Sequence, residues 1–150
     1  MPLFTIINRV SGRLMLAESL DTDEDRSQDL DFYKKQAKQL LQTLGVTSEP
    51  TGIITTGNNY FLYLIENGVC YLTMCDATFP KKLAYSFLEE LKKEFDIQHG
   101  ADVNSAKRPY SFQKFGKYTT YFKSVPIYLN QAFYCGKELI FNFFFFFLLT

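Results

Sequence analysis

The sequence predicts an α+β fold: one five-stranded mixed or antiparallel sheet sandwiched by helices. Three observations predict it. Two strongly β-type runs, Tyr60 to Glu66 and Val69 to Cys75, are joined by Asn67-Gly68, the preferred two-residue hairpin turn. Two other segments carry apolar residues at three- and four-residue spacing, the mark of amphipathic helices. The order of elements, β-β-α-β-β-β-α-α, combines a two-strand hairpin and a three-strand meander, which suits one sheet with helices on both faces.

Leu3 to Val10 is apolar and β-branched and ends at Ser11-Gly12, with Leu14 to Ala17 following. Two short runs around a glycine turn predict a hairpin. The stretch Asp21 to Asp31 holds six acidic residues against one arginine. It reads as a solvated loop entering a helix, whose N-terminal dipole favours carboxylates. It lacks the glycine and the terminal glutamate of a calcium loop. Leu30, Tyr33, Ala37, Leu40, Leu41 and Leu44 then share one helical face, and Gly45 ends the helix. Ile53 to Thr55 is a short strand before the turn Gly57-Asn58-Asn59.

The strands on either side of Asn67-Gly68 are apolar on both faces, so they belong in the centre of the sheet. Pro80 opens the next helix, in which Leu83, Phe87, Leu91 and Phe95 repeat every four residues. Residues 97–108 read as a polar loop. Tyr110, Phe112 and Phe115 start a third helix that a change of composition near residue 116 interrupts.

That change is sharp. Residues 1–115 hold 28 of the 32 charged side chains, and residues 116–150 hold four. The same tail holds 12 of the 26 aromatics, with Phe143 to Phe147 unbroken. A run without a polar face cannot be amphipathic. It is either a hydrophobic segment that inserts into something or sequence not selected as coding. Five Phe codons form a thymine-rich tract, which favours the second. The division expected is a body at 1–115 and an aberrant aromatic tail at 116–150. The longest apolar run, Leu139 to Leu149, is 11 residues and is broken by Asn142, short of the ~18 needed for a full membrane span.

Composition also excludes function classes. With 16 basic and 16 acidic side chains and a pI near 6.6, the chain lacks the basic excess of a nucleic-acid binder. Three cysteines are too few and odd in number for a disulfide framework; they suggest a reducing, cytosolic setting. Cys70 and Cys75 fall on opposite faces of one strand, so they cannot share a metal. The one histidine, His99, reads as an exposed loop residue. No glycine spacing cradles a phosphate. No catalytic residue, metal, cofactor or small-molecule substrate is expected. Arg108, in Arg108-Pro109-Tyr110, is an ordinary loop residue, a partner for the acidic stretch, or a contact for another protein.

Several motifs then carry a resemblance. They are Gly68-Val69-Cys70-Tyr71-Leu72, Cys75, Phe79-Pro80-Lys81-Lys82-Leu83-Ala84, Leu88-Glu89-Glu90-Leu91, Glu94-Phe95 and Arg108-Pro109-Tyr110-Ser111-Phe112. Tyr33, Ala37-Lys38-Gln39-Leu40 and the hairpin from Ile7 to Leu16 join them. Over residues 3–115 the chain resembles the longin domain of synaptobrevin-like R-SNAREs of the Sec-twenty-two type. The resemblance implies a profilin-like longin fold and a non-enzymatic, protein-binding role in vesicle traffic between endoplasmic reticulum and Golgi. Its implied partners are vesicle-coat subunits and SNARE proteins, and its implied place is the cytosolic face of those membranes. The family anchors itself in the membrane through a C-terminal segment and drives fusion through a heptad-patterned helix. Residues 116–150 hold neither an arginine nor heptads, so the expectation is a truncated form unable to drive fusion.

In the family, a groove beside the first helix and third strand holds the protein's own SNARE segment. On this chain that implies Phe32 to Leu44 and Thr51 to Thr55, with Phe32, Leu41 and Ile54 as apolar anchors; the bland reading makes all three core residues. The alternative function is a longin-type scaffold subunit of an adaptor or GTPase-regulator complex, recognised by a stoichiometric partner of the same fold.

Overall fold

The computed structural model describes residues 2–19, 27–45 and 47–123. Five strands, β1 (Pro2–Arg9), β2 (Leu14–Glu18), β3 (Thr51–Thr56), β4 (Asn59–Glu66) and β5 (Val69–Asp76), form one sheet in the order β2-β1-β5-β4-β3. Every pairing is antiparallel, so the mixed alternative falls away. Three helices complete the body: α1 (Ser27–Thr43), α2 (Lys81–His99) and α3 (Gln113–Lys123).

The β4–β5 turn closes Glu66 onto Val69, with Asn67 and Gly68 both at positive φ, 53° and 75°. That is the backbone an Asn-Gly turn adopts to match the twist of its strands. The apolar character of β4 and β5 on both faces follows from their place between helix layers. Tyr60, Leu62, Leu64, Val69, Tyr71 and Cys75 pack under α2. The alternate residues Phe61, Tyr63, Cys70, Leu72 and Met74 pack with Leu30, Ala37, Leu41 and Leu44 of the α1 segment. The two-residue period of a strand thus feeds two separate cores. Burial pushes the thiols of Cys70 and Cys75 up to about 12, and thiols held protonated at neutral pH make poor nucleophiles.

The two edges of the sheet differ. The β2 edge is covered by the segment entering α3: Tyr110 N donates to Met15 O at 2.7 Å and Phe112 N to Leu16 O at 3.1 Å. The Gln113 amide then imitates a paired strand, accepting from Glu18 N at 3.1 Å and donating to Glu18 O at 2.9 Å. Arg9 holds the preceding loop, its Nη1 donating to the carbonyls of Val103 (2.9 Å) and Ala106 (2.6 Å). On the far side of the sheet, among the described residues, β3 pairs with β4 alone.

Three expectations need correction. His99 is not in a loop. It is the last residue of α2 and half-buried, stacked on Phe112 at 4.6 Å between ring centroids and 29° between planes. The polar residues after Phe95 continue the helix because its aromatic side keeps a partner in Phe112 and Phe115. The change of composition at residue 116 falls inside α3, which buries Phe115, Gly116 and Thr119 while exposing Lys117. The aromatic run 143–147 lies outside the described residues.

Loss of hydration, partly opposed by Asp102, lowers the affinity of His99 for a proton below the usual 6.5. The unfolded chain therefore binds the proton more readily, and the stability due to neutral His99 is whole above 6.5 and lost as pH falls through the depressed folded value. Between about pH 7.5 and about pH 5.5, the urea midpoint should drop further for this chain than for His99→Phe, which keeps the stack but cannot titrate. Equal drops would place the pH response elsewhere.

Candidate protein-binding site

Helix α1 lies across one face of the sheet with its two flanks tied down. On the β2 side, Lys34 and Lys38 reach Glu18 at 3.0 and 3.8 Å. On the β3 side, Thr56 Oγ1 donates to Gln36 Oε1 at 3.2 Å. Phe32 lies one helical turn before Gln36, and Ile54 lies two residues before Thr56. By the periods of helix and strand, Phe32 and Ile54 fall on opposite sides of this hydrogen bond along the seam between α1 and β3: Phe32 toward the β3–β4 turn, where its neighbour Tyr33 lines one depression with Gly57, and Ile54 toward the start of β3. Ile54 pairs with Phe61, a residue of the α1-side core, which places Ile54 on that same face. At one end the seam opens into a depression of about 470 Å³ lined by Leu3, Leu30, Tyr33, Gly57, Asn58 and Met74, among others.

Phe32 is 59% exposed, its ring edge-on to Tyr33 at 5.5 Å, and Ile54 is 39% exposed. Exposure on this scale takes Phe32 out of the α1-side core. The four anticipated residues therefore separate. Phe32 and Ile54 come to one seam. Leu41 is 2% exposed inside the α1-side core, where the bland reading placed it. Arg108 is exposed but belongs to the loop that leads to the β2 edge, across the sheet from Ile54. The acidic stretch offered as its alternative partner lies largely outside the described residues.

The sequence reading missed Ile53, which is 45% exposed. A signal existed: neighbouring strand residues face opposite sides, so Ile53 and Ile54 could not both serve one groove. Ile53 pairs with Leu62 of the α2-side core and lines a second groove, under α2. Among the described residues no group of His, Cys, Asp or Glu is placed to hold a metal. Among them, too, no helix is long and apolar enough to cross a membrane.

The family model for longin, the regulated-SNARE-like domain, matches residues 16–119. The chain is 49% identical over 118 residues to the vesicle-trafficking protein SEC22b of Xenopus tropicalis, an alignment covering 79% of this chain and 55% of that relative. It is 47% identical over 113 residues to the 25.3 kDa vesicle transport protein SEC22-1 of Arabidopsis thaliana, covering 74% and 51%. It is 45% identical over 112 residues to the protein transport protein sec22 of Schizosaccharomyces pombe, again 74% and 51%. The chain spans about half the length of these curated relatives.

Proposed function

The chain belongs to the longin family of regulated-SNARE-like domains, of the non-enzymatic kind found in Sec22-type vesicle-trafficking proteins, and from that premise we propose that its body is a docking module for vesicle-coat subunits and SNARE segments in traffic between endoplasmic reticulum and Golgi. The observation that carries this reading is the exposure of Phe32 on α1 and of Ile54 on the α1 side of β3. An amphipathic or extended segment laid there would bury both anchors. Arg108, at the opposite edge of the sheet, would serve a separate contact.

We assign no fusion step to this body. Fusion winds helices together through apolar seams. Here α1 and α2 bury their apolar faces against the sheet, and α3 seats Phe115 in the α2-side core, which supports a regulatory role.

The test is a pull-down of the full chain against purified coat subunits and a SNARE-helix peptide. The paired substitution Phe32→Ala with Ile54→Ser should weaken capture about tenfold or more with little change in Tm. Leu41→Ala should instead lower stability. Capture indifferent to the Phe32 and Ile54 pair, or no capture where a full-length relative binds, would sink the proposal.

A further inference from the structure

The charges of this chain balance as a whole, 16 basic against 16 acidic, but not along its length. From Val103 to Lys123 the sequence holds Lys107, Arg108, Lys114, Lys117 and Lys123 and no Asp or Glu. The fold gathers these cations at the β2 edge of the sheet. The segment covering that edge runs parallel to β2, Tyr110 meeting Met15, Phe112 meeting Leu16 and Gln113 meeting Glu18. That register brings Arg108 level with the start of β2, where Arg13 precedes Leu14. Helix α3 then buries Phe115, Gly116 and Thr119 and leaves Lys114 and Lys117, about one turn apart, on its exposed side.

Arg13, Lys107, Arg108, Lys114 and Lys117 are all exposed. Among the described residues the ion pairs lie elsewhere: Lys34 and Lys38 share Glu18, Lys92 holds Glu66 and Lys93 holds Glu90. Glu18 touches the covering segment through the Tyr110 hydroxyl at 3.4 Å, but the two ammonium groups of α1 already balance it. Asp102, exposed at the end of the short helical turn before Val103, opposes the patch with a single charge. Tyr110 is 38% exposed in the midst of the cations; tyrosine, apolar in body and polar at its tip, is enriched where protein meets a membrane surface.

We propose that the β2 edge and α3 form a docking patch for an anionic lipid bilayer, with Arg13, Lys107, Arg108, Lys114 and Lys117 set against its headgroups. Charge complementarity selects an anionic partner, since each basic residue near such a surface strengthens attachment about fivefold. What the chain carries next selects a bilayer over an acidic protein. Residues 124–150 follow α3 directly, hold only Lys137 and Glu138 as charges, and include the unbroken run Phe143 to Phe147. An acidic protein would satisfy the cations alone. A bilayer satisfies them and also takes apolar side chains, and a polybasic patch beside an apolar group is the pair of signals that stable membrane attachment needs. This patch lies across the sheet from Ile54, so it and the Phe32 seam can fail separately.

The test is sedimentation of the full chain with vesicles of phosphatidylcholine, with and without phosphatidylserine. The anionic vesicles should bind about tenfold tighter or more, and high salt should remove the difference. The paired substitution K114Q with K117Q, at exposed positions that leave the core intact, should weaken anionic binding about tenfold or more, with Tm unchanged. K114R with K117R should keep it. K35Q, at an exposed position of α1, and F32A should change nothing. Equal binding to the two kinds of vesicle overturns the proposal, because the apolar tail would then act alone. So does a loss in K35Q equal to that of the pair, or a soluble poly-glutamate that binds as tightly as the anionic vesicles, the sign of an acidic protein partner. So does binding that emerges only when Asp21, Asp23, Glu24 and Asp25 are neutralised, which would make that stretch the occupant of the patch.

Discussion

Phe95→Ala should cost the body about 3–5 kcal/mol, a large share of the 5–15 kcal/mol typical of a whole domain. Phe95 is fully buried, and its ring meets Tyr71 at 5.9 Å, Phe112 at 5.7 Å and Phe115 at 5.2 Å, all near edge-on, with His99 at 5.5 Å. These partners come from β5, from the end of α2, from the segment before α3 and from α3 itself. One ring therefore joins the sheet to both helices on that face. Edge-on aromatic pairs add about 0.5–1.5 kcal/mol each beyond the area they bury, and the neighbours, tied to three elements, cannot collapse together into the vacated space. The expected result is a fall in Tm of about 10 °C or more, with hydrogen exchange in α3 accelerating first. Phe95→Leu, which keeps most of the volume, should lose markedly less. A loss below about 0.5 kcal/mol for alanine, within the range of an ordinary surface change, would mean that α3 does not close on this ring.

The sequence made the sheet and its two main helices legible because those elements repeat a strong local signal. Asn67-Gly68 specifies its turn by backbone conformation alone, and the four-residue spacing from Leu83 to Phe95 needs no tertiary knowledge. Both signals survive because each strand of the centre is buried on two faces and each helix on one. The site was legible only in part. Phe32, Ile54 and Leu41 look alike in sequence, three apolar residues on a helix or strand; exposure divides them, and exposure depends on how α1 is turned over the sheet. That turn is set by contacts distant in sequence, Lys34 to Glu18 and Thr56 to Gln36. His99 was misplaced for a similar reason, since its stacking partner Phe112 lies across the loop that Arg9 fastens. The groove under α2 joins residues 51–53 to 81–86, and neither segment announces the other.

Gly116 decides how far the body extends, and its substitution should have an effect opposite in sign to the one helix propensity predicts. In an exposed helix, Gly→Ala stabilises by about 1 kcal/mol. Here a Cβ on Gly116 would overlap the carbonyl oxygen of Glu18 and come within 3.1 Å of its carbonyl carbon and 3.0 Å of Gln113 Nε2. The obstacle is largely backbone of β2, which cannot rotate aside as a side chain would. Helix α3 must lift instead. Lifting it stretches both hydrogen bonds between the Gln113 amide and Glu18, each worth about 1 kcal/mol net, and draws Phe115 away from Phe95. Overpacking adds about 1–3 kcal/mol. The losses exceed the propensity gain, so Gly116→Ala should destabilise by about 2 kcal/mol and Gly116→Val by more, read as lower urea midpoints and as faster exchange at the Tyr110 and Phe112 amides that cover the β2 edge. If alanine raised the midpoint, α3 would not be seated on β2, and the body would end before the change in composition. If it lowers the midpoint as expected, α3 is an integral part of the longin body in spite of its unlike sequence, because one residue without a side chain is what lets the helix reach the strand.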